Sequence, residues 1–360
     1  MTAPRSLTEV LNNMPAFNRN ILIVKFGALG DVVRTAYLLP ALVAKHPDAR
    51  IWWLTSNGAV ELLRFNPYIY QIATPTCGFE SLAAQKFEFA VSLDDEREVL
   101  GRLAQLKVGH VVGARLEGEV RTYCCASAPW FDMGLISRFG KAAADELKRK
   151  NLCEHHSFLG GMLDIEVKLP SFFNSNALQE RVGGLFGPEW FHIGLNSGSG
   201  ARWPSKQLPI PVAADLTRRL IGLRIDGKPV KVWLLGGKDE AVRHEQILQE
   251  CPTGQVVDPG FDQNILEFAA RIRAMDFLIS SDSLALHLGI AQRVPNLSFY
   301  APTSAAEIGT FGSGVKVVST SPDYCNYKPD ADNSSITVGR LFEEFQRFIG
   351  ERVNRAGFNA

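Results

Sequence analysis

Residues 21–54 read ILIVKFGALGDVVRTAYLLPALVAKHPDARIWWL, and the first half of this stretch decides the fold. Ile21 to Val24 form a continuous aliphatic run, the pattern of a strand buried on both faces, whereas residues 32–44 repeat apolar positions at helical spacing. The order strand, glycine turn, helix is the opening of a parallel βαβ unit. Asp31 follows the turn Gly27-Ala28-Leu29-Gly30 and stands at the start of the helix. Two readings are open there: a first-turn acid favoured by the free amides and the helix dipole, or a reactive carboxylate at the carboxyl end of a strand.

Outward from this segment the alternation continues. Strands are expected at 21–26, 50–55, 87–93 and 110–112, with helices near 32–45, 58–64 and 141–150. Residues 169–188, LPSFFNSNALQERVGGLFGP, interrupt the pattern with proline, glycine and asparagine and are read as a linker. Beyond it strands are expected at 191–195, 230–235, 256–257, 277–279 and 296–300, with helices near 212–223, 239–250, 264–274 and 284–291. A last helix follows PDADNSSIT, with Thr337 as its N-cap, and runs to about residue 352. A chain of 360 residues suits two such domains. The expected organisation is 1–180, 181–336 and a terminal helix over 337–360, with a cleft between the two α/β units.

Composition excludes several classes. Hydrophobic residues make up 46% and charged residues 21%, while Lys plus Arg and Asp plus Glu both total 38. With zero net charge, nothing global suggests a nucleic-acid partner, so any anion site is local. Cys77, Cys124, Cys125, Cys153, Cys251 and Cys325 are scattered without a CxxC pair, which reads as a reduced, cytoplasmic chain. The one histidine cluster, His155-His156, lacks metal-ligand spacing, and no metal site is expected. Lys25 interrupts the first apolar run and no stretch approaches the ~20 residues of a membrane span, so neither a span nor a signal peptide is expected.

The strand ends of the second half carry the chemistry. After the strand at 191–195 comes Asn196-Ser197-Gly198-Ser199-Gly200-Ala201-Arg202-Trp203-Pro204-Ser205-Lys206, which combines close-approach glycines, hydroxyls and two cations suited to a phosphate. An ordinary βα surface loop is the alternative. After 230–235 comes Gly236-Gly237-Lys238-Asp239-Glu240, whose acids suit ribose hydroxyls or, equally, the helix dipole. After 277–279 comes Ser280-Ser281-Asp282-Ser283-Leu284-Ala285-Leu286-His287, a capped helix start able to seat an anion, with His287 either a ligand contact or a core histidine. Familiar alternatives fail on their spacing. The first turn has only Gly27 and Gly30 in place of GxGxxG, and the second strand ends in Trp53-Leu54-Thr55-Ser56 without a ribose-binding acid. No GxxxxGK[ST], GxSxG or HExxH occurs. Asp330-Ala331-Asp332 lies in a turn and is read as turn chemistry.

At this point the motifs resemble a known family. FGALGDVVRTAYLLPAL, HPDARIWWLTS and NPYI, followed in order by GLNSGSGARWPSKQLP, WLLGGKDE, FLISSDSLALHLGIAQRVP and FYAPTS, are similar to the ADP-heptose:lipopolysaccharide heptosyltransferases of glycosyltransferase family 9. The resemblance implies a GT-B fold of two Rossmann-like parallel-sheet domains, an acceptor site in the first and a nucleotide-sugar site in the second, with the last helix crossing back. It implies an inverting, metal-independent transferase with no resident cofactor, an ADP-linked sugar as co-substrate, and a glycan or lipid-linked glycan acceptor. It places the chain in the cytoplasm, either free or peripheral at the inner membrane. Asp31 aligns with the family's general base, Gly30 and Arg34 fall on the acceptor side, and Glu240 aligns with the ribose-binding acid. Arg202 falls near a phosphate-binding lysine, and Asp282, Ser283 and His287 match a D-[ST]-x-x-x-H motif. Asn196, Ser197, Gly198, Ser199, Lys206, Gly236, Gly237 and Ser281 complete the implied donor set. Three positions depart from the family: Leu284 replaces a common glycine, Arg202 a lysine, and Arg34 a histidine. A GT-B epimerase or hydrolase, and a non-catalytic nucleotide-sugar-binding protein, are the competing readings.

Overall fold

The computed structural model describes residues 19–357 except 125–126, 128–129, 132–141, 143–144, 147–153, 201–202 and 252–253, with side chains to Glu351. The aliphatic run forms β1 (Arg19–Val24), and the glycine turn leads into α1 (Leu29–Ala36) and α2 (Leu39–Lys45). The helix expected over 32–45 is therefore two helices. Pro40 is the reason: its ring has no N–H to give Ala36 and would collide with that carbonyl in a continuous helix. Then follow β2 (Ala49–Leu54), α3 (Val60–Leu63), β3 (Gln71–Ala73), α4 (Phe79–Ala83), β4 (Lys86–Ser92), α5 (Arg97–Leu103), β5 (Lys107–Glu117) and β6 (Val120–Tyr123). Their sheet runs β3-β2-β1-β4-β5-β6, parallel except for the β5–β6 hairpin. The strand expected at 110–112 is longer because β5 changes partner, from β4 up to Gly113 to β6 from Ala114.

Among the described residues, α6 (His155–Leu163) and α7 (Asn176–Gly183) lie between the two sheets. The helix expected at 141–150 lies largely outside the described residues. The segment 169–188, read as a linker, lies between the two sheets and contains α7. Ser175 caps it by accepting from the Leu178 amide at 3.4 Å. Asn174 then donates to the Leu266 carbonyl at 2.8 Å, and Arg181 pairs with Glu267 at 2.5 Å. The asparagine and serine that suggested a loop are the helix's start signal.

The second domain comprises β7 (Phe191–Asn196), α8 (Ile210–Ile221), β8 (Arg224–Ile225), β9 (Lys228–Leu234), α9 (Ala241–Glu250), β10 (Val256–Val257), α10 (Ile265–Arg273), β11 (Phe277–Ser281), α11 (Leu284–Ala291), β12 (Asn296–Tyr300), β13 (Gly314–Val318) and α12 (Val338–Gly357). Its parallel sheet runs β10-β9-β7-β11-β12-β13, with β8 antiparallel on β9. Every residue of β7, β11 and β12 is buried, as in strands covered on both faces. Thr337 caps α12 through its hydroxyl, which accepts from the Arg340 amide at 3.4 Å. Over its described side chains the apolar stripe of α12, Leu341 and Phe345, packs on the second domain's own sheet, with the Phe345 ring edge-on to Phe277 at 5.0 Å. No described helix is long and apolar enough to cross a membrane.

Both sheets reverse direction at a central strand, β1 in the first and β7 in the second, and crevices form outside the carboxyl ends there. The domains touch beside these switch points. Val32, Val33 and Ala36 of α1 share one buried cluster with Ala285, Leu286 and Leu288 of α11. Above it the Tyr37 hydroxyl donates to the His287 carbonyl at 2.9 Å.

Candidate active site

A cavity of about 390 Å³ opens at the carboxyl ends of the second sheet. Asn196, Ser199, Gly200 and Lys206 line it from the loop after β7, and Gly236, Gly237 and Glu240 from the loop after β9. Asp282, Ser283 and Leu284 line it at the head of α11. Four strand ends meet in this cavity, including one that the sequence reading passed over. Phe261, Gln263 and Phe268 follow β10 and give the cavity an apolar wall. The signal was present in DPGFDQN, a proline- and glycine-bearing strand end like the others.

Glu240 organises the floor. It is 6% exposed; one carboxylate oxygen accepts from the Gly200 amide at 2.7 Å and the other from the Gly237 amide at 2.8 Å. Gly198 and Gly236, both of the expected donor set, make room for this side chain. A Cβ at Gly198 would lie 2.4 Å from Glu240 Cγ, and one at Gly236 would lie 2.8 Å from Glu240 Cβ.

The hydroxyls and amide of the expected donor set also serve the protein first. Asn196 donates to the Leu235 carbonyl at 2.8 Å, and its Oδ1 accepts from the Ser283 hydroxyl at 2.9 Å and the Ser280 hydroxyl at 3.1 Å. Ser281 donates to the Gly198 carbonyl at 3.2 Å and Ser199 to the Trp203 carbonyl at 2.9 Å. Ser283 holds the N-cap position of α11, but no side-chain capping bond forms because its hydroxyl is turned toward Asn196. Three strand ends are thereby tied together, which fixes the loops around the cavity. Ser197 is buried beneath them with its hydroxyl unpartnered by protein. Arg202 lies outside the described residues.

Charge concentrates at one wall. The Lys206 ammonium donates to the Asp282 carbonyl at 2.9 Å and to its carboxylate at 3.2 Å, and the other Asp282 oxygen is 3.3 Å from His287 Nε2. Burial alone would raise the Asp282 carboxyl, but Lys206, His287 and Arg34 outweigh it and hold it well below the usual carboxylate range. Burial, reinforced by the Arg34 charge, lowers His287 and keeps it neutral, against the pull of Asp282. His287 Nε2 then carries the hydrogen directed at Asp282.

On the first domain, Asp31 occupies the first turn of α1. Its carboxylate accepts from the Ala28 amide at 3.2 Å, as a helix-start acid does, and forms an ion pair with Arg34 one turn along α1. The Asp31 side chain nonetheless remains 30% exposed, against 13% for Arg34. Burial favours its neutral form, but the charges of Arg34 and Lys25 prevail and keep it ionised far below the usual range. Behind it, Lys25 and Asp94 form an ion pair with both side chains 6% exposed, and the second Asp94 oxygen accepts the Phe26 amide. Sequence reasoning missed this pair. A lysine in an apolar strand and an acid at the end of another were the only sign.

The two halves of the site meet at one point. Gly30 lies so close to the His287 ring that a Cβ there would stand 2.5 Å from His287 Cδ2. Asp31, the next residue, therefore stands beside the Asp282–His287 end of the cavity, and the Arg34 guanidinium feels both Asp31 and Asp282. Among the described residues no three of His, Cys, Asp and Glu are grouped to hold a metal ion.

Comparison with known proteins agrees with this architecture. Residues 199–335 match the model of glycosyltransferase family 9 (heptosyltransferase). The ADP-heptose lipopolysaccharide heptosyltransferase II of E. coli is similar over 92% of this chain and 99% of its own, with 16% identity and a TM-score of 0.67. A family 9 glycosyl transferase from Veillonella parvula is similar over 92% and 98%, with 15% identity and a TM-score of 0.69. The E. coli heptosyltransferase WaaC, solved with ADP, covers 94% and 99% at 13% identity and a TM-score of 0.58. No curated protein sequence matches the chain. The second domain thus carries the sequence pattern of glycosyltransferase family 9 (heptosyltransferase), and the GT-B fold of these relatives extends over nearly the whole chain.

Proposed function

We propose that the protein transfers a heptose or related sugar from a nucleoside-diphosphate donor, ADP-linked, to a hydroxyl of a glycan or lipopolysaccharide-type acceptor, with inversion and without a catalytic metal. The observation that carries this reading is the contact of Gly30 with His287, which sets an ionised, partly exposed carboxylate against the end of a 390 Å³ strand-end cavity. Asp31 takes the proton of the acceptor hydroxyl as its oxygen attacks the anomeric carbon, while the bond from that carbon to the diphosphate breaks on the opposite face. Lys206 meets the charge developing on the departing diphosphate, with Arg202 in the same loop as its sequence-level partner. Glu240 offers the remaining lone pairs of its carboxylate to the ribose hydroxyls. Phe261 and Phe268 provide apolar wall for the base. The ADP found with the fold relative WaaC supports an adenosine donor.

The test is turnover with ADP-heptose and a panel of lipopolysaccharide-core acceptors in the presence of a chelator. Asp31→Asn is expected to lower kcat by roughly 10² to 10⁴ with ADP affinity unchanged. Undiminished turnover by that variant would refute the base assignment, and release of altered sugar from donor alone would replace transfer with epimerisation or hydrolysis.

A further inference from the structure

Phe261 lines the strand-end cavity and is half-buried there, so part of its ring is open to a ligand. The turn that carries it, Asp258-Pro259-Gly260, is pinned on both sides. Asp258 Oδ1 accepts from the Gly260 amide at 2.9 Å, closing an Asx turn. Gly260 takes a φ of +76° in that turn with nothing within 4 Å of where a Cβ would stand, so the glycine serves the backbone conformation and not a close contact. Arg271 of α10 donates to the Pro259 carbonyl at 3.2 Å.

Behind the turn stands His244, in the first turn of α9 and 1% exposed. Its Nδ1 lies 3.2 Å from Asp258 Oδ2, and its ring packs against Phe261 with centroids 5.1 Å apart and planes tilted by 35°. Burial holds the imidazole below the ordinary histidine range against the pull of Asp258, so a neutral ring backs the phenyl ring. The mechanism above gives this buried group no task. Glu240, at the N-cap of α9, lines the same cavity four residues earlier. One helix start therefore presents a carboxylate to the ribose end of the cavity and, a turn later, an imidazole to the back of Phe261. A free aromatic side chain gives up rotamer entropy when a ligand packs on it, whereas one already held in place does not.

We propose that His244 and Asp258 are positioning residues that hold Phe261 as the stacking face for the nucleobase of the donor. This rests on the cavity being the donor site. Neither His244 nor Asp258 lines the cavity, so both act through Phe261. Every base has a π face, so such a platform sets the affinity for a nucleotide over a bare diphosphate and does not choose among bases.

The experiment is calorimetric titration of ADP, GDP and UDP, with pyrophosphate as the base-free probe, into wild type, Phe261→Ala, His244→Ala, Asp258→Ala and Asp258→Asn. Wild type is expected to bind at least one of the three nucleotides more tightly than pyrophosphate. For that nucleotide Phe261→Ala is expected to lose about tenfold or more in affinity, as for one unstacked base, while pyrophosphate binds as before. His244→Ala and Asp258→Ala are expected to show the same selective loss at about three- to tenfold, from the freedom returned to one side chain. Combining His244→Ala with Phe261→Ala is expected to weaken binding no further than Phe261→Ala alone. Asp258→Asn, which retains an oxygen for the Gly260 amide, is expected to recover most of the affinity lost in Asp258→Ala. The Asp258 side chain is 19% exposed, so these two variants carry the test independently of the buried His244. Unchanged nucleotide affinity in His244→Ala and Asp258→Ala, equal losses for nucleotide and pyrophosphate, or additive losses in the double variant overturn the proposal. A wild type that binds none of the three nucleotides overturns the donor-site reading itself, so the two failures are distinguishable.

Discussion

Gly30 and His287, from opposite domains, are in direct contact with no space for a side chain between them: a Cβ on Gly30 would come 2.5 Å from His287 Cδ2. Gly30→Ala must therefore push α1 from α11, moving Asp31 away from the donor cavity. Such overpacking is expected to cost about 1 to 3 kcal/mol of stability. The functional effect is expected to be larger than the structural one, with kcat falling at least about tenfold because sub-ångström placement governs the reaction. ADP binding, measured by calorimetry, is expected to change little, since the cavity walls belong to the second domain.

Glu240 ties two loop amides with one carboxylate. In Glu240→Gln one of the two amides must face an NH2 group, and an unpaired buried donor costs about 1 to 3 kcal/mol. The loops after β7 and β9 are expected to loosen together, giving a lower melting temperature and an ADP affinity weakened about tenfold or more. Gly198→Ala is expected to do the same, because its Cβ would displace Glu240 Cγ from 2.4 Å. Unchanged ADP affinity in both variants would remove Glu240 from the donor site.

Lys25 and Asp94 bury an ion pair at the switch point of the first sheet. Lys25→Met leaves an unpaired carboxylate and is expected to destabilise by about 3 to 5 kcal/mol in chemical denaturation. Adding Asp94→Asn removes the stranded charge while keeping an oxygen for the Phe26 amide, so the double variant is expected to recover most of that loss. Additive destabilisation would contradict this account.

Stability is expected to fall in two steps on acidification. His155 and His287 are lowered by burial first and by the Arg34 charge second, so the fold prefers them neutral. Their contribution is present above the unfolded value of ~6.5 and is lost as the pH falls through the lower folded values. Asp282 acts further down: its folded value lies well below the unfolded ~3.9, so its contribution is present above that value and is lost beneath it. A melting-temperature scan from neutral to acid pH is expected to show both steps, with the first reduced in His287→Gln. A melting temperature that rises between roughly pH 7 and pH 5 would reverse the sign of this account.

Much of the molecule was legible in local pattern. The run at 21–24 marked a buried strand because a doubly covered strand has no polar face, and Leu284–Ala291 was readable because its apolar residues and flanking serines are contiguous. Elements that failed to register were short or carried mixed signals. β13 (Gly314–Val318) is a half-buried edge strand, and α7 begins in a stretch rich in loop-forming residues, where the cap and the turn use the same amino acids.

What the sequence determined by itself was the α/β class, the order of the elements and the placement of Asp31 and the polar loops at strand ends, since periodicity and helix starts depend on neighbours a few residues apart. Tertiary structure alone decided which groups meet. Tyr37 reaches His287 across a sequence separation of 250 residues, Lys25 finds Asp94 across 69, and Asp31 acquires its surroundings from both domains. Gly198 and Gly236 show the difference most clearly. Their lack of a side chain is visible in the sequence, but the reason is the Glu240 carboxylate, which only the packing of two loops brings against them.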